Sequence, residues 1–236
     1  MRFIKVLTGG FWDLVKMNLL FCACAFIPAA AFLVGLLGYF TAAAYILALI
    51  AAFPVGGAAT AYVFCITKLL RDEPVFVWHD FKRKFLENIK QAALPGMLCA
   101  AFLYAQVFLW GPLIVGGAAT APLWLLPGFV FLIIFGMVAP YIFLQFAYIE
   151  LGMLAIMKNS VLVSFAYAPR SFMGSIMGGA IWAVFFAFLP RSAFLTPLLI
   201  LIGVSISLLL CLMWVWPVVD KQFSIVESLS NAKTME

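Results

Sequence analysis

Apolar positions in this chain fall into long unbroken runs, with neither the alternation of strands nor the seven-residue spacing of coiled coils. The runs cover residues 19–37, 41–67, 93–115, 123–147, 172–189 and 194–216. A bilayer core needs about 20 residues of helix per crossing, so each run can span. Because hydrocarbon offers the backbone no hydrogen-bond partner, spanning segments of this kind are helical. The pattern therefore predicts an all-α, polytopic transmembrane helical bundle of about six spans, a single membrane domain over residues 1–236. Pro28, Pro54, Pro127 and Pro140 interrupt the runs and predict kinks. Between residues 19 and 67 a second reading is open, in which Pro54 and Gly56-Gly57 break the second span deep in the membrane.

Polar positions set the orientation. Residues 68–92 form the longest polar stretch between runs. With six crossings and both termini cytoplasmic, 13 of the 14 Lys and Arg residues lie inside and only Arg191 lies outside. That distribution follows the rule that cations stay on the cytoplasmic side. A five-span arrangement ranks second, because it exports either the N-terminal cations or Lys221 and Lys233. At the amino end, Ile4, Leu7, Phe11 and Leu14 recur at helical spacing, which predicts a short interfacial helix over residues 1–17. This stretch imitates a signal peptide, but the apolar run continues with no polar mature region after it, so cleavage is not expected.

Composition agrees with lipid as the solvent: 67% of residues are hydrophobic and 10% charged, and mean hydropathy is +1.18. Soluble domains are roughly 25% charged. With about six crossings in 236 residues, no separate soluble catalytic domain is expected. The excess of positive charge points to membrane orientation, not to nucleic acid. Cys22, Cys24, Cys65, Cys99 and Cys211 all sit inside apolar runs without CxxC spacing and read as small apolar fillers.

"VGGAATA" occurs twice, at 55–61 and 115–121. The first copy falls within the second run and the second in an outer turn, and their flanks do not match, so no duplicated unit is implied. Pro54, Gly56, Gly57 and Thr60 are expected to form a packing notch, with Gly116 and Gly117 reversing the chain. A second small-residue stripe runs through Ser171, Ser175, Gly179, Ala183 and Ala187 beside Gly174 and Gly178. It predicts a helix contact face, within the monomer in preference to a dimer seam.

In the polar stretch, Asp80 is placed to cap a helix with Phe81, Phe85 and Ile89 on one face. Asp80 and Lys84 make an acid-before-base pair worth about 0.3–0.5 kcal/mol. The aromatic face is expected against lipid headgroups, the underside of the bundle, or another protein.

The order "NLLF" to Pro28, then "PVGGAATAYVFCITKLLRDE", then "VFVWHDFKRKFLENIKQA" resembles the YesL family of bacterial membrane proteins, a domain of unknown function. Matching positions are Asn18, Pro54, Gly56, Thr60, Arg71, Glu73, Trp78, Asp80, Phe81, Phe85, Asn88 and Gln91. The stretch "YIFLQFAYIELGMLAIMKNSVLVSFAYAP" is similar to the family's second half more loosely. About two dozen residues between Pro28 and Pro54 are extra relative to shorter members. The resemblance implies a helical bundle in a bacterial cell membrane. It also implies a context beside carbohydrate ABC transporters and sensor kinases, and no established activity.

Chemistry is sparse. The runs contain no aspartate, HExxH is absent, and the only histidine, His79, lies in the polar stretch, so no enzyme, metal or cofactor is expected. An ion-coupled transporter needs a charged group at mid-membrane, whereas the candidates here, Gln106, Gln145, Thr60 and Ser175, are neutral. Glu150 and Lys158 are read as marking the membrane boundary, with an interfacial helix near 151–168. Two functions remain: a non-catalytic accessory that docks an ABC transporter or sensor kinase through Arg71, Trp78, His79, Asp80, Phe81, Phe85 and Asn88, or a facilitator for a small neutral solute.

Overall fold

The computed structural model describes residues 2–38, 41–116, 125–188 and 195–227. Arg191, Lys233 and Gly117 to Ala121 of the second heptad lie outside the described residues. The described residues form ten helices and no strand: α1 (Arg2–Gly9), α2 (Phe11–Leu36), α3 (Thr41–Ala51), α4 (Phe53–Leu70), α5 (Val77–Asn88), α6 (Ala93–Gly116), α7 (Leu125–Tyr148), α8 (Met153–Ala166), α9 (Ala168–Phe188) and α10 (Leu195–Phe223). Among the described residues, five stretches are long and apolar enough to cross a membrane: Phe11–Leu36, Ala42–Leu70, Ala93–Trp110, Leu125–Tyr148 and Ile202–Phe223. The chain is thus an all-α polytopic bundle. The 21-residue α9 packs beside α7 and α10, and at about 1.5 Å per residue it has the length of a crossing.

Burial is inverted relative to a protein folded in water. Phe26 is 70% and Leu126 72% exposed, while Asn18, Thr60, Gln145 and Ser205 are completely buried. Hydrocarbon is as apolar as leucine, so large apolar side chains gain nothing by turning inward, whereas polar ones lose less by finding partners inside. The central cluster joins α2, α4, α7 and α10 around Leu14, Tyr62, Tyr141, Leu144, Leu212 and Val215.

Two boundaries differ from those expected. The expected interfacial helix over 1–17 is divided at Gly10, and α2 runs from Phe11 through Pro28 without a break. Leu14 and Met17 are fully buried in the central cluster, which carries this turn into the bundle, while Ile4 and Phe11 face outward. The run over 41–67 is two helices that meet at Ala52, just before Pro54, while Gly56-Gly57, read from the sequence as part of a possible break, lie within the continuous α4. Pro54 lies in the first turn of α4, where its missing N–H is not needed. Pro127 also opens a helix, while Pro28, Pro140 and Pro217 are internal.

Small residues let backbones touch. A Cβ on Gly56 would overlap the Ala92 carbonyl, and one on Gly57 would come 2.9 Å from Ile89 Cα. This contact seats α4 against the end of α5 and the start of α6. On α9, a Cβ on Gly174 or Gly178 would meet the Cys211 and Ser207 carbonyl oxygens of α10 at 3.2 and 3.1 Å. Ser175 Oγ donates to the Ile133 carbonyl of α7 at 3.1 Å. The stripe therefore divides between two neighbours in the same chain. Gly179 takes no part, since a Cβ there would meet nothing within 4 Å.

Helix α8, 14 residues long, is too short to span. Its inward side carries Ile156, Ser160 and Ser164, whereas Leu154, Leu162 and Phe165 are 53–76% exposed. An apolar outer face on a short helix suits the lipid interface.

Candidate docking face

The site is built at the junction of α4 and α5. Helix α4 ends in a turn where Asp72 takes a left-handed backbone, φ 58°. Asp72 N–H donates to the Leu69 carbonyl and Glu73 N–H to the Lys68 carbonyl, at 3.1 and 3.0 Å. That is the Schellman arrangement, with aspartate where glycine is more usual. Lys5 of α1 binds Asp72 Oδ1 at 2.8 Å and fastens the amino end to this turn.

Asp80 has a different role from the one expected. Its Oδ2 accepts from Lys68 Nζ at 2.7 Å and from the Phe76 backbone N–H at 3.1 Å. The same carboxylate thus satisfies the start of α5 and ties it to α4. Lys84, the expected partner, binds Glu87 Oε2 at 2.8 Å instead. Side-chain exposure of Asp80 and Lys68 is 5% and 15%, and in such surroundings a pair across helices outweighs a solvated one along a helix. Arg83 Nη2 and His79 Nδ1 stand 3.8 and 3.9 Å from Asp80 Oδ1. Lys68, Arg83 and Lys84 also surround the buried Phe64 ring, at 5.9, 5.9 and 5.2 Å from its centroid.

Arg71 is drawn inward as well. Its guanidinium lies 5.4 Å from the ring centroids of both Tyr148 and Trp216, joining the ends of α4, α7 and α10. Nη2 donates to Glu73 Oε2 at 3.0 Å. Nε and Nη1 have no hydrogen-bond partner among the described residues.

The seven docking candidates therefore separate. Asp80, Phe81 and Asn88 are buried, Phe85 packs partly buried on the central cluster, and Arg71 is caged. Asn88 Nδ2 is spent on the Lys84 carbonyl at 3.0 Å. Only Trp78 and His79 remain outside, where they line a shallow concavity with Lys82, Arg83 and Leu86. Phe76, Lys82, Arg83 and Leu86 were not among the docking candidates read from the sequence. Trp78, Lys82 and Leu86 stand four residues apart, so at about 100° per residue they form a stripe beside that of Phe81 and Phe85, with the two midpoints about 80° apart and Leu86 furthest from the buried side.

The neutral polar candidates are mostly engaged. Thr60 Oγ1 donates to the Gly56 carbonyl at 3.0 Å, and Gln106 Oε1 accepts from Trp110 Nε1 at 2.9 Å. Gln145 has no partner among the described residues. A deeper network escaped notice. Tyr62 Oη donates to Asn18 Oδ1 at 3.0 Å and lies 2.5 Å from Ser205 Oγ, which donates to the Leu14 carbonyl at 2.7 Å. Glu150 and Lys158 are exposed on the α7–α8 link and on α8. Among the described residues no three His, Cys, Asp or Glu side chains gather as a metal site, and the five cysteines are free. No protein-family model, curated protein or solved structure matches this chain.

Proposed function

We propose that this chain is a non-catalytic accessory protein of the bacterial cell membrane. In this reading it crosses the bilayer six times with both ends in the cytoplasm. It docks a subunit of a carbohydrate ABC transporter or sensor kinase through the outward face of α5. One observation carries the reading: α5 is held from within by Asp80 and Phe81, yet Trp78 and Phe76 are 68% and 70% exposed beside Lys82 and Arg83. Exposed aromatic side chains next to cations are the composition of interface anchors. A rigid helix presenting them loses little freedom on binding. The complementary partner surface is acidic with an apolar slot. The YesL-like sequence of the same segment supplies the transporter and kinase context.

A photo-cross-linking residue at position 78 in intact cells tests this proposal. A discrete adduct with a transporter or kinase subunit, lost on Lys82→Glu, supports it. Adducts with lipid alone overturn it. The second reading, a facilitator for a small neutral solute, is favoured by the buried uncharged groups Asn18, Tyr62 and Ser205. Solute uptake by purified protein in liposomes, abolished by Tyr62→Phe, would select that reading.

A further inference from the structure

Helices α6 and α7 leave a cleft of about 360 Å³ between them, walled by Phe102, Gln106 and Leu109 of α6 and by Pro127, Gly128 and Phe131 of α7. Phe131 and the neighbouring Val107 are exposed, so the cleft opens on the lipid-facing surface. Gln106 is the one polar side chain among the described residues that line it. Its Oε1 accepts from Trp110 Nε1 at 2.9 Å, one turn further along α6, and stands 3.8 Å from where a Cβ on Gly128 would lie. Trp110 therefore fixes which way the amide is turned. Nε2 donates to no described residue, yet it is not among the enclosed unbonded atoms, which include both amide atoms of Gln145. It is thus open to an acceptor arriving from outside the bundle.

The surroundings define that acceptor. Hydrocarbon offers none, and an amide N–H left unbonded in it is costly. A water would find a single polar side chain here, where it needs about two to four partners. A charged ligand would meet no opposite charge among the lining side chains. What fits is an apolar body that carries a neutral oxygen acceptor. Depth narrows the choice further: Gly128 lies in the first turn of α7 and Phe131 in the second, near the end of the span, where the acyl chains of a bilayer join their ester groups.

We infer that the cleft holds an acyl chain of one membrane lipid, whose ester carbonyl accepts a hydrogen bond from Gln106 Nε2. The chain lies along Phe102, Leu109 and Phe131 and keeps α6 from closing on α7. A lipid bound in this way stays at one position, whereas hydrocarbon elsewhere on the surface exchanges freely. The inference rests on the spanning character of α6 and α7 and is independent of the partner proposed for α5.

Competition between two lipids with the same chains and headgroup, diacyl and dialkyl phosphatidylcholine, isolates the carbonyl, because the ether-linked analogue lacks it. Native mass spectrometry of the delipidated protein mixed with both at equal concentration shows which one is retained. One hydrogen bond is worth about 2- to 10-fold in occupancy, so the diacyl form is expected to predominate by that factor. The preference should vanish in Gln106→Leu. Ala105→Phe, which fills the cleft, should lose both lipids and serves alone should Gln106→Leu not fold. Equal retention of the two lipids by the wild type, a preference that survives Gln106→Leu, or undiminished retention in Ala105→Phe overturns the proposal. A dimer that Gln106→Leu dissociates overturns it as well, because the acceptor then belongs to a second copy of this chain.

Discussion

Lys68 Nζ lies 2.7 Å from Asp80 Oδ2, and this nearly buried ion pair fastens the last turn of α4 to the first turn of α5. Removing one member of such a pair leaves the other charge uncompensated, which costs about 3–5 kcal/mol where burial is complete. Asp80→Asn should therefore lower the melting temperature in mild detergent markedly. Lys68→Met with Asp80→Leu should recover most of that loss. An unchanged melting temperature for Asp80→Asn would show that the pair carries no stability.

The two faces of α5 should respond differently to truncation. Phe81 is 5% exposed, and Phe81→Ala is expected to cost about 3 kcal/mol. Trp78→Ala, on the exposed side, should stay within about 0.5 kcal/mol of wild type. Thermal unfolding of the two variants side by side checks the assignment of the faces. Equal losses would contradict it.

Glycines on α4 and α9 provide a second contrast. Gly56→Ala forces a methyl into the Ala92 carbonyl, where backbone cannot yield without parting α4 from α6, so folded protein should largely disappear from size-exclusion profiles. Gly179→Ala meets nothing within 4 Å and should stabilise α9 by about 0.5–1 kcal/mol through helix propensity.

Tyr62→Phe deletes the hydroxyl shared by Asn18 and Ser205 while keeping the ring stacked 5.3 Å from Phe21. The expected loss is about 1–3 kcal/mol, measured by unfolding in detergent. Ser205→Ala, which also frees the Leu14 carbonyl, should lose a comparable amount. The double variant should lose less than the sum, because both changes act on one network.

Much of this architecture was legible in the sequence, because lipid imposes length and polarity on every span. The α5 helix was legible too, from Phe81, Phe85 and Ile89 at four-residue steps. What one-dimensional spacing cannot carry is the choice among partners from different helices. Asp80 has a basic residue four positions on, yet it binds one twelve positions back, because burial strengthens the pair that α4 and α5 enclose. Arg71 reads as a surface cation until Tyr148 and Trp216 close on it from α7 and α10. The notch at Gly56-Gly57 could be named from small residues alone, but its counterpart, the Ala92 carbonyl, could not.

Helix α8 turns serines toward its neighbours and leucine and phenylalanine away from them. Any amphiphile that solubilises this protein must therefore extend its coat past the spans on one flank to cover that helix. Short-chain detergents, whose thin torus ends sooner, should strip α8 before they disturb the rest, and a protease should then cut first between Gly152 and Tyr167.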